Sequence, residues 1–253
     1  MATDHAKRAF EILREEGPVE LFKQSNHFLK YRLSVDEKRF RINTGKNHLM
    51  NVFQYKTPPD PKTPIFINPN NVEYGRYGFS TAGNGLGKIK GGAWDNKSSL
   101  EKITHDYTIE GIKQRFQENR DWDETVYYEK FKSKYNGDEG RVRERCAYVD
   151  SLYEDIKNNG YKPASNDKNE RQRSGYGQYL EVLVVIDRKG RIHHQGKGSH
   201  RLGISKILDI NIPVQVLVRH KKWQELRDDI YNNGLPEGRE DLGDHPDLQD
   251  ILN

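Results

Sequence analysis

The feature that most restricts the fold is an apolar run, YLEVLVVID, at residues 179–187. Val182, Val184, Val185 and Ile186 are β-branched, which favours a β-strand. RKG at 188–190 predicts a tight turn and RIHHQ at 191–195 a returning strand, so the pair predicts a β-hairpin. GKGSHR then opens a short helix, and IPVQVLVRH at 212–220 predicts another strand before a closing helix. This stretch predicts an α+β protein.

The N-terminal residues predict two amphipathic helices, at 4–16 and 19–33. The second has one stripe, made of Leu21, Phe22, Ser25, Phe28, Leu29 and Arg32. Such a hairpin suits packing on the main domain, on a second copy of the chain or another partner, or on an anionic membrane surface. Residues 34–64 are polar and interrupted by prolines, which predicts a loop.

The middle of the chain offers a strand at 64–68, followed by an Asn-Pro-Asn-Asn turn. GNGLGKIKGGAWD at 83–95 lacks a dinucleotide-binding glycine pattern, so a flexible or ligand-facing loop is expected. Helices are predicted at 99–119, 121–135 and 139–159. The organisation we expect is a helical region at 1–62, an intermediate segment with the Gly-Gly-x-Trp-Asp loop at 63–140, a domain at 141–234 and an acidic tail at 235–253.

Composition excludes several classes of protein. Cys146 is the single cysteine, so an intramolecular disulfide and a cysteine-based zinc site are both excluded. The net charge of +4 is too small to indicate nucleic acid by itself. No apolar run approaches the roughly 20 residues that span a bilayer, and the N-terminus is charged throughout, so we expect a cytoplasmic protein.

The order helix, Gly, hairpin, Gly-x-x-Arg turn, helix and Ile-Pro-Val strand resembles the ParB/sulfiredoxin-like domain superfamily. The matching pieces are SLYEDIKNNGYKP at 151–163, EVLVVIDRKGRIHHQGKGSHRL at 181–202 and ISKILDINIPVQVLV at 204–218. The resemblance implies a ParB/sulfiredoxin-like mixed sheet with helices, preceded by a mainly helical N-terminal region. The whole chain is also similar to archaeal proteins that join such a domain to a Gly-Gly-x-Trp-Asp segment, here Gly91, Gly92, Trp94 and Asp95.

The branches of this superfamily imply different chemistries. Sulfiredoxins carry a catalytic cysteine within Gly-Cys-His-Arg, where this chain has Ser199, so sulfinic acid reduction by that route is not expected. ParB proteins bind CTP at the Gly-x-x-Arg motif and carry a helix-turn-helix after it, which the short acidic end here does not match. A third branch phosphorylates free serine with a nucleotide and a glutamate base, for which Glu73 and Glu181 are candidates.

The residues themselves also suggest an anion site at the turn. A helix start presents unpaired N–H groups and the positive end of its dipole, and Gly196 and Gly198 let a backbone approach closely. Ser199 is a natural N-cap, and its hydroxyl can donate to phosphate. Charge would come from Lys197, Arg201 and, near neutral pH, His200. In the alternative interpretation Ser199 only caps the helix and Arg201 pairs with a surface carboxylate.

The leading hypothesis is a nucleotide- or phosphate-binding protein, with phosphotransferase or nucleotidase activity, whose ligand is a nucleoside triphosphate or diphosphate (CTP or ATP/ADP) with Mg²⁺. Its candidate acid–base residues are His200, Glu181 and Glu73, and Asp95 is a candidate magnesium ligand. One alternative is a DNA-binding protein, a nuclease or a nucleotide-gated clamp, with phosphates contacted by Lys132, Lys134, Arg141, Arg143 and Arg145. Another is a regulatory interaction module without catalysis. His193 and His194 are neighbours on a strand, so they are not expected to share one metal ion.

Overall fold

The computed structural model describes residues 35–72, 77–96, 106–163 and 180–252. In these ranges the chain is a mixed α+β protein, as predicted. Its strands are β1 (Ile65–Ile67), β2 (Lys88–Lys90), β3 (Val182–Ile186), β4 (Ile192–His194) and β5 (Ile212–His220). Its helices are α1 (Val35–Gln54), α2 (Thr81–Asn84), α3 (Tyr107–Phe116), α4 (Val126–Lys134), α5 (Glu139–Asn159), α6 (Ser199–Leu208), α7 (Lys221–Asn233) and α8 (Gln249–Leu252).

Strand β5 organises the sheet. One of its edges pairs in parallel with β3, and β3 pairs antiparallel with β4, which confirms the predicted hairpin. Along the other edge, β1 lies antiparallel to the start of β5 and β2 lies parallel to its end. The sheet therefore crosses the expected boundary at residues 140–141, because two of its strands come from the intermediate segment. The prediction of a loop at residues 83–95 is wrong for residues 88–90, which form β2.

Both faces of this sheet are covered, which explains why all five residues of β3 are buried. On one face Val182 and Val184 pack in a cluster with Leu202 of α6 and Trp223 of α7. On the other face Leu183 and Val185 share a cluster with Phe40 of α1. A third cluster joins helices α3 to α6 through residues that include Ile112, Tyr127, Cys146, Val149 and Ile204. Helix α6 therefore lies between the sheet and the helical cluster.

Helix α1 corrects the prediction of a loop at 34–64. Asn43, Asn47 and Asn51 lie four residues apart on its inner face and donate to backbone carbonyls of the segment that holds α2, at distances of 2.8 to 3.0 Å. The two backbones approach so closely that a Cβ at Gly85 would lie 2.4 Å from the Thr44 nitrogen. The loop prediction failed because this helix contacts its neighbour mainly through amides rather than through an apolar stripe.

The segment predicted as an acidic tail is packed into the fold. Leu242 and Leu248 are buried. Asp247 is buried as well, where it accepts hydrogen bonds from Arg219 at 2.6 Å and from the Trp223 indole at 2.8 Å. These residues are therefore packed against the domain in spite of their acidic composition, because the buried Asp247 carboxylate pairs with Arg219.

Several predictions fall outside the described residues: the helices at 4–16 and 19–33, the candidate Glu73 and the beginning of the helix at 99–119. The helix predicted at 139–159 is confirmed by α5. Among the described helices, none combines the length and the apolar character required to cross a lipid bilayer.

Candidate functional site

The glycine turn before α6 is tied to the sheet. Gly196 and Gly198 have φ values of 82° and 83°, a left-handed conformation that favours glycine. A Cβ at Gly198 would lie 2.8 Å from the Cα of Val182, and the Lys197 carbonyl accepts a hydrogen bond from Leu183 of β3. Gly198 is the N-cap of α6, and Ser199 is the first helical residue. The prediction that Ser199 is the N-cap is therefore wrong, because the left-handed turn ends one residue earlier.

The Ser199 hydroxyl has a partner that the sequence did not predict. Its Oγ donates to Oδ2 of Asp106 at 3.1 Å, and Oδ1 of Asp106 accepts from the Thr108 nitrogen at 2.9 Å as the N-cap of α3. The carboxylate thus lies beside the starts of two helices, where negative charge is stabilised by both dipoles. A phosphate at Ser199 would have to compete with Asp106.

Arg201 and Glu181 meet inside the protein. Their side chains are 7% and 9% exposed, and Arg201 Nη1 lies 3.7 Å from Glu181 Oε2. Arg201 Nη1 also donates to the Lys162 carbonyl at 3.1 Å, and the Tyr161 hydroxyl donates to Glu181 Oε2 at 2.8 Å. Burial raises the pKa of Tyr161, so its hydroxyl stays protonated at neutral pH. Arg201 does pair with a carboxylate, as the alternative interpretation proposed, but the pair is buried rather than on the surface.

His200 points to a different part of the structure. Its Nε2 lies 2.9 Å from the hydroxyl of Tyr127, and its ring meets the rings of Tyr127 and Tyr148 edge to face. Burial raises the pKa of Tyr127, so this hydroxyl is protonated at neutral pH. The structure therefore brings Glu181 and Arg201 together, and it places His200 beside Tyr127 and Tyr148 instead. Lys197 is the exposed cation of the turn.

Asp95, the candidate magnesium ligand, is bound by arginine. Both of its oxygens accept hydrogen bonds from the Arg188 guanidinium, and Oδ2 also accepts from the Arg188 backbone nitrogen at 3.0 Å. Burial by itself would raise the pKa of Asp95, but the hydrogen bonds from Arg188 outweigh it and lower the pKa to about 2. Within the described ranges no three His, Cys, Asp or Glu side chains are grouped to hold a metal ion. Asp95 therefore orders the Gly-Gly-x-Trp-Asp loop against the β3–β4 turn.

The paired histidines have separate partners, as their positions on a strand predict. His193 Nε2 lies 3.2 Å from Asp187 Oδ2, and His194 Nε2 lies 3.1 Å from the Lys197 carbonyl. In the basic cluster proposed for DNA, Lys132 pairs with Glu139 at 2.7 Å. Two of its arginines lie over aromatic rings, Arg141 over Tyr135 and Arg145 over Phe131. Lys132, Arg141 and Arg145 therefore interact with other side chains of the protein, which weakens the attraction of this cluster for nucleic-acid phosphates.

A cleft of about 610 Å³ opens beside Glu181, between α1 and the sheet. Its walls include Phe40, Leu180 and Gln215, and the charged side chains of Asp60 and Lys62 also line it. The Gln215 side chain accepts a hydrogen bond from the Glu181 nitrogen at 3.1 Å. The cleft therefore borders the backbone beside Glu181, which pairs with Arg201 of α6.

Sequence reasoning missed Asp106 and Tyr161 as members of this site. Tyr161 follows Gly160, the glycine that ends α5, and so lies inside one of the segments that carry the superfamily resemblance. Asp106 offered only a weak signal, that of an acidic residue before a helix. Comparison of the chain with protein-family models, with curated proteins and with solved structures finds no match.

Proposed function

We propose that the protein binds the phosphate groups of a nucleoside diphosphate or triphosphate at the start of α6. The observation that carries the proposal is the glycine turn itself. Helix α6 begins at Gly198 without a side-chain cap, and the start of a helix presents backbone N–H groups and the positive end of its dipole to an anion. Exposed Lys197 precedes this helix start, and buried Arg201 lies within its first turn.

Two carboxylates would act as intramolecular competitors of the phosphate. Asp106 accepts from Ser199, and Glu181 lies beside Arg201. They balance the positive charge of the turn when no ligand is bound. Phosphate binding would transfer the Ser199 hydroxyl from Asp106 to a phosphate oxygen, and Arg201 would then interact with both Glu181 and the ligand. Because like charges repel, these carboxylates lower the affinity for the anion.

The ParB/sulfiredoxin-like resemblance supports a nucleotide, CTP or ATP/ADP, as the source of the phosphate. The described residues supply no cluster of metal ligands, so we propose Mg²⁺ only as a companion of the bound phosphates, which it bridges in nucleotide sites. The proposal is confined to binding. Glu181 pairs with Arg201 and His200 with Tyr127, so neither candidate base is poised for a phosphotransferase or nucleotidase reaction in this arrangement.

The test is calorimetric titration with pyrophosphate, ATP, ADP and CTP, each with and without magnesium. Lys197→Ala should weaken binding several-fold, since it removes an exposed cation near the phosphate. Asp106→Asn should strengthen it, because asparagine can still cap α3 but carries no charge. Asp138→Asn is the matched control, since Asp138 caps α5 in the same way and α5 is not part of the turn.

The expected pattern is therefore opposite effects of the variants at 106 and 197, with no change at 138. If no phosphate compound binds the wild type or the Asp106→Asn variant, the turn has only a structural role and the proposal is wrong. If Asp106→Asn and Asp138→Asn raise the affinity equally, net charge rather than the turn controls binding, which also overturns the proposal.

A further inference from the structure

The Gly-Gly-x-Trp-Asp loop lies at the end of the sheet opposite to the glycine turn. β2 and β3 both run parallel to β5, so the last residues of these strands, Lys90, Ile186 and His220, meet at one end of the sheet. The glycine turn instead contacts Val182, the first residue of β3. Because β3 has five residues, the two ends are about 15 Å apart. The loop therefore belongs to a surface separate from the proposed phosphate site.

Three segments are joined at this end: the Gly-Gly-x-Trp-Asp loop, the β3–β4 turn and the start of α7. Arg188 of the turn pairs with Asp95 of the loop and donates to the Gly92 carbonyl at 3.1 Å. His220, which precedes α7, reaches the same carbonyl, with 3.0 Å between its Nε2 and the Gly92 oxygen. The surface is thus held in one arrangement by contacts within the protein, so a partner would not have to order it.

Positive charge predominates on this surface. The three segments carry six basic residues, of which all but Arg188 are exposed: Lys90, Arg188, Lys189, Arg191, Lys221 and Lys222. Asp95 and Asp187 pair with the two arginines, and their side chains are only 2% and 0% exposed, so these carboxylates lie behind the cations. The exposed carboxylates are Glu225, which lies 3.6 Å from Lys221, and Asp244, in the segment that contacts the β3–β4 turn. The exposed charge in the described part of this surface therefore favours an anionic partner.

Aromatic rings lie among these cations. Trp94 is partly exposed, and its indole nitrogen donates to the Lys90 carbonyl at 3.0 Å. The ring of Phe79 meets that of Trp94 at 5.1 Å between centroids, and the Lys90 ammonium lies 4.9 Å above the Phe79 ring. Lysines that neutralise phosphates and rings on which bases stack are the combination that binds single-stranded nucleic acid. A lipid surface is less suited, because none of the large apolar side chains exposed in the described ranges lies in these three segments.

We infer that this end of the sheet, called here the basic end, binds single-stranded nucleic acid through its phosphates. Lysine offers a mobile point charge rather than a rigid fork, and Arg188 and Arg191 are already held by carboxylates. Base-specific contacts by arginine are therefore not expected, and binding should have little sequence preference. The inference does not depend on the nucleotide proposed at the glycine turn.

Fluorescence anisotropy of a labelled oligothymidine, titrated with the full chain at several salt concentrations, tests the inference. Lys189→Gln/Lys222→Gln removes one exposed cation from the β3–β4 turn and one from the start of α7. If both contact phosphates, the slope of log affinity against log salt should fall by about 1.4 and the affinity at 0.1 M salt by about tenfold or more. Lys130→Gln/Lys134→Gln is the matched control, since it removes two exposed lysines from α4, beside the cluster first considered for DNA, and should leave the slope unchanged.

Other outcomes would overturn the inference. An equal loss in both double variants would mean that net charge, rather than the basic end, attracts the oligonucleotide. Tighter binding of a duplex of the same length, or equal binding of polyglutamate, would exclude a site for single strands. Binding to anionic lipid vesicles without binding to oligothymidine would assign the basic end to a membrane surface. A loss in Lys197→Ala as large as that in Lys189→Gln/Lys222→Gln would place the oligonucleotide at the glycine turn instead.

Discussion

Replacement of Glu181 by glutamine separates the structural role of the buried pair from its proposed role in binding. Glutamine keeps the shape of the side chain and an oxygen that can accept from Tyr161, but it removes the negative charge near Arg201. Both charged side chains are about nine-tenths buried, with 3.7 Å between Arg201 Nη1 and Glu181 Oε2. The substitution therefore leaves a buried guanidinium without its carboxylate.

The magnitude follows from two opposing effects. At this separation and an effective dielectric constant of about 20, the Coulomb attraction is about 4 to 5 kcal/mol. Part of it is cancelled, because the variant no longer desolvates a carboxylate, and we expect a net loss of about 2 kcal/mol in the free energy of unfolding. For a chain of this size each kcal/mol lowers the melting temperature by roughly 2 to 4 °C, so the midpoint should fall by roughly 4 to 8 °C.

Urea unfolding with and without pyrophosphate measures both consequences. Without ligand, Glu181→Gln should be less stable than the wild type. With pyrophosphate it should recover more stability, since Arg201 then has an anionic partner and the affinity should rise by about tenfold, or about 1.4 kcal/mol. Glu154→Gln, an exposed residue of α5, controls for the loss of one negative charge. Equal stability of the two variants would refute the energetic argument, and an unchanged affinity for pyrophosphate would separate the pair from the proposed site.

Three further substitutions test other parts of the structure. Gly198→Ala should lower the free energy of unfolding by about 2 kcal/mol or more, measured by urea unfolding, since the backbone is left-handed and the new Cβ would meet Val182. Asp247→Asn should cost about 3 kcal/mol and make residues 235–252 the first site of limited proteolysis, because two buried arginines lose their shared carboxylate. Asp95 has a folded pKa of about 2 against an ordinary 3.8, so its contribution is present above about pH 4 and is lost as the pH falls towards 2. Asp95→Asn should therefore be less stable near neutral pH and show a shallower acid decline in urea unfolding between pH 6 and 3.

The parts of the fold that the sequence predicted are those with a local signal. The β3–β4 hairpin and β5 follow from β-branched runs with a turn between them, and α5 follows from apolar residues at helical spacing. β2 has only three residues and owes its conformation to pairing with β5, so no local pattern marks it. The contact of Ser199 with Asp106 joins residues 93 positions apart. Only the packing of α3 against α6 brings them together, which a single sequence does not display.

The low apolar content of the chain is accompanied by ion pairs in its interior. Only 33% of the residues are apolar, and the interior holds arginine–carboxylate pairs at Arg201, Arg219 and Arg227. Such pairs contribute less to stability than packed apolar groups of the same volume.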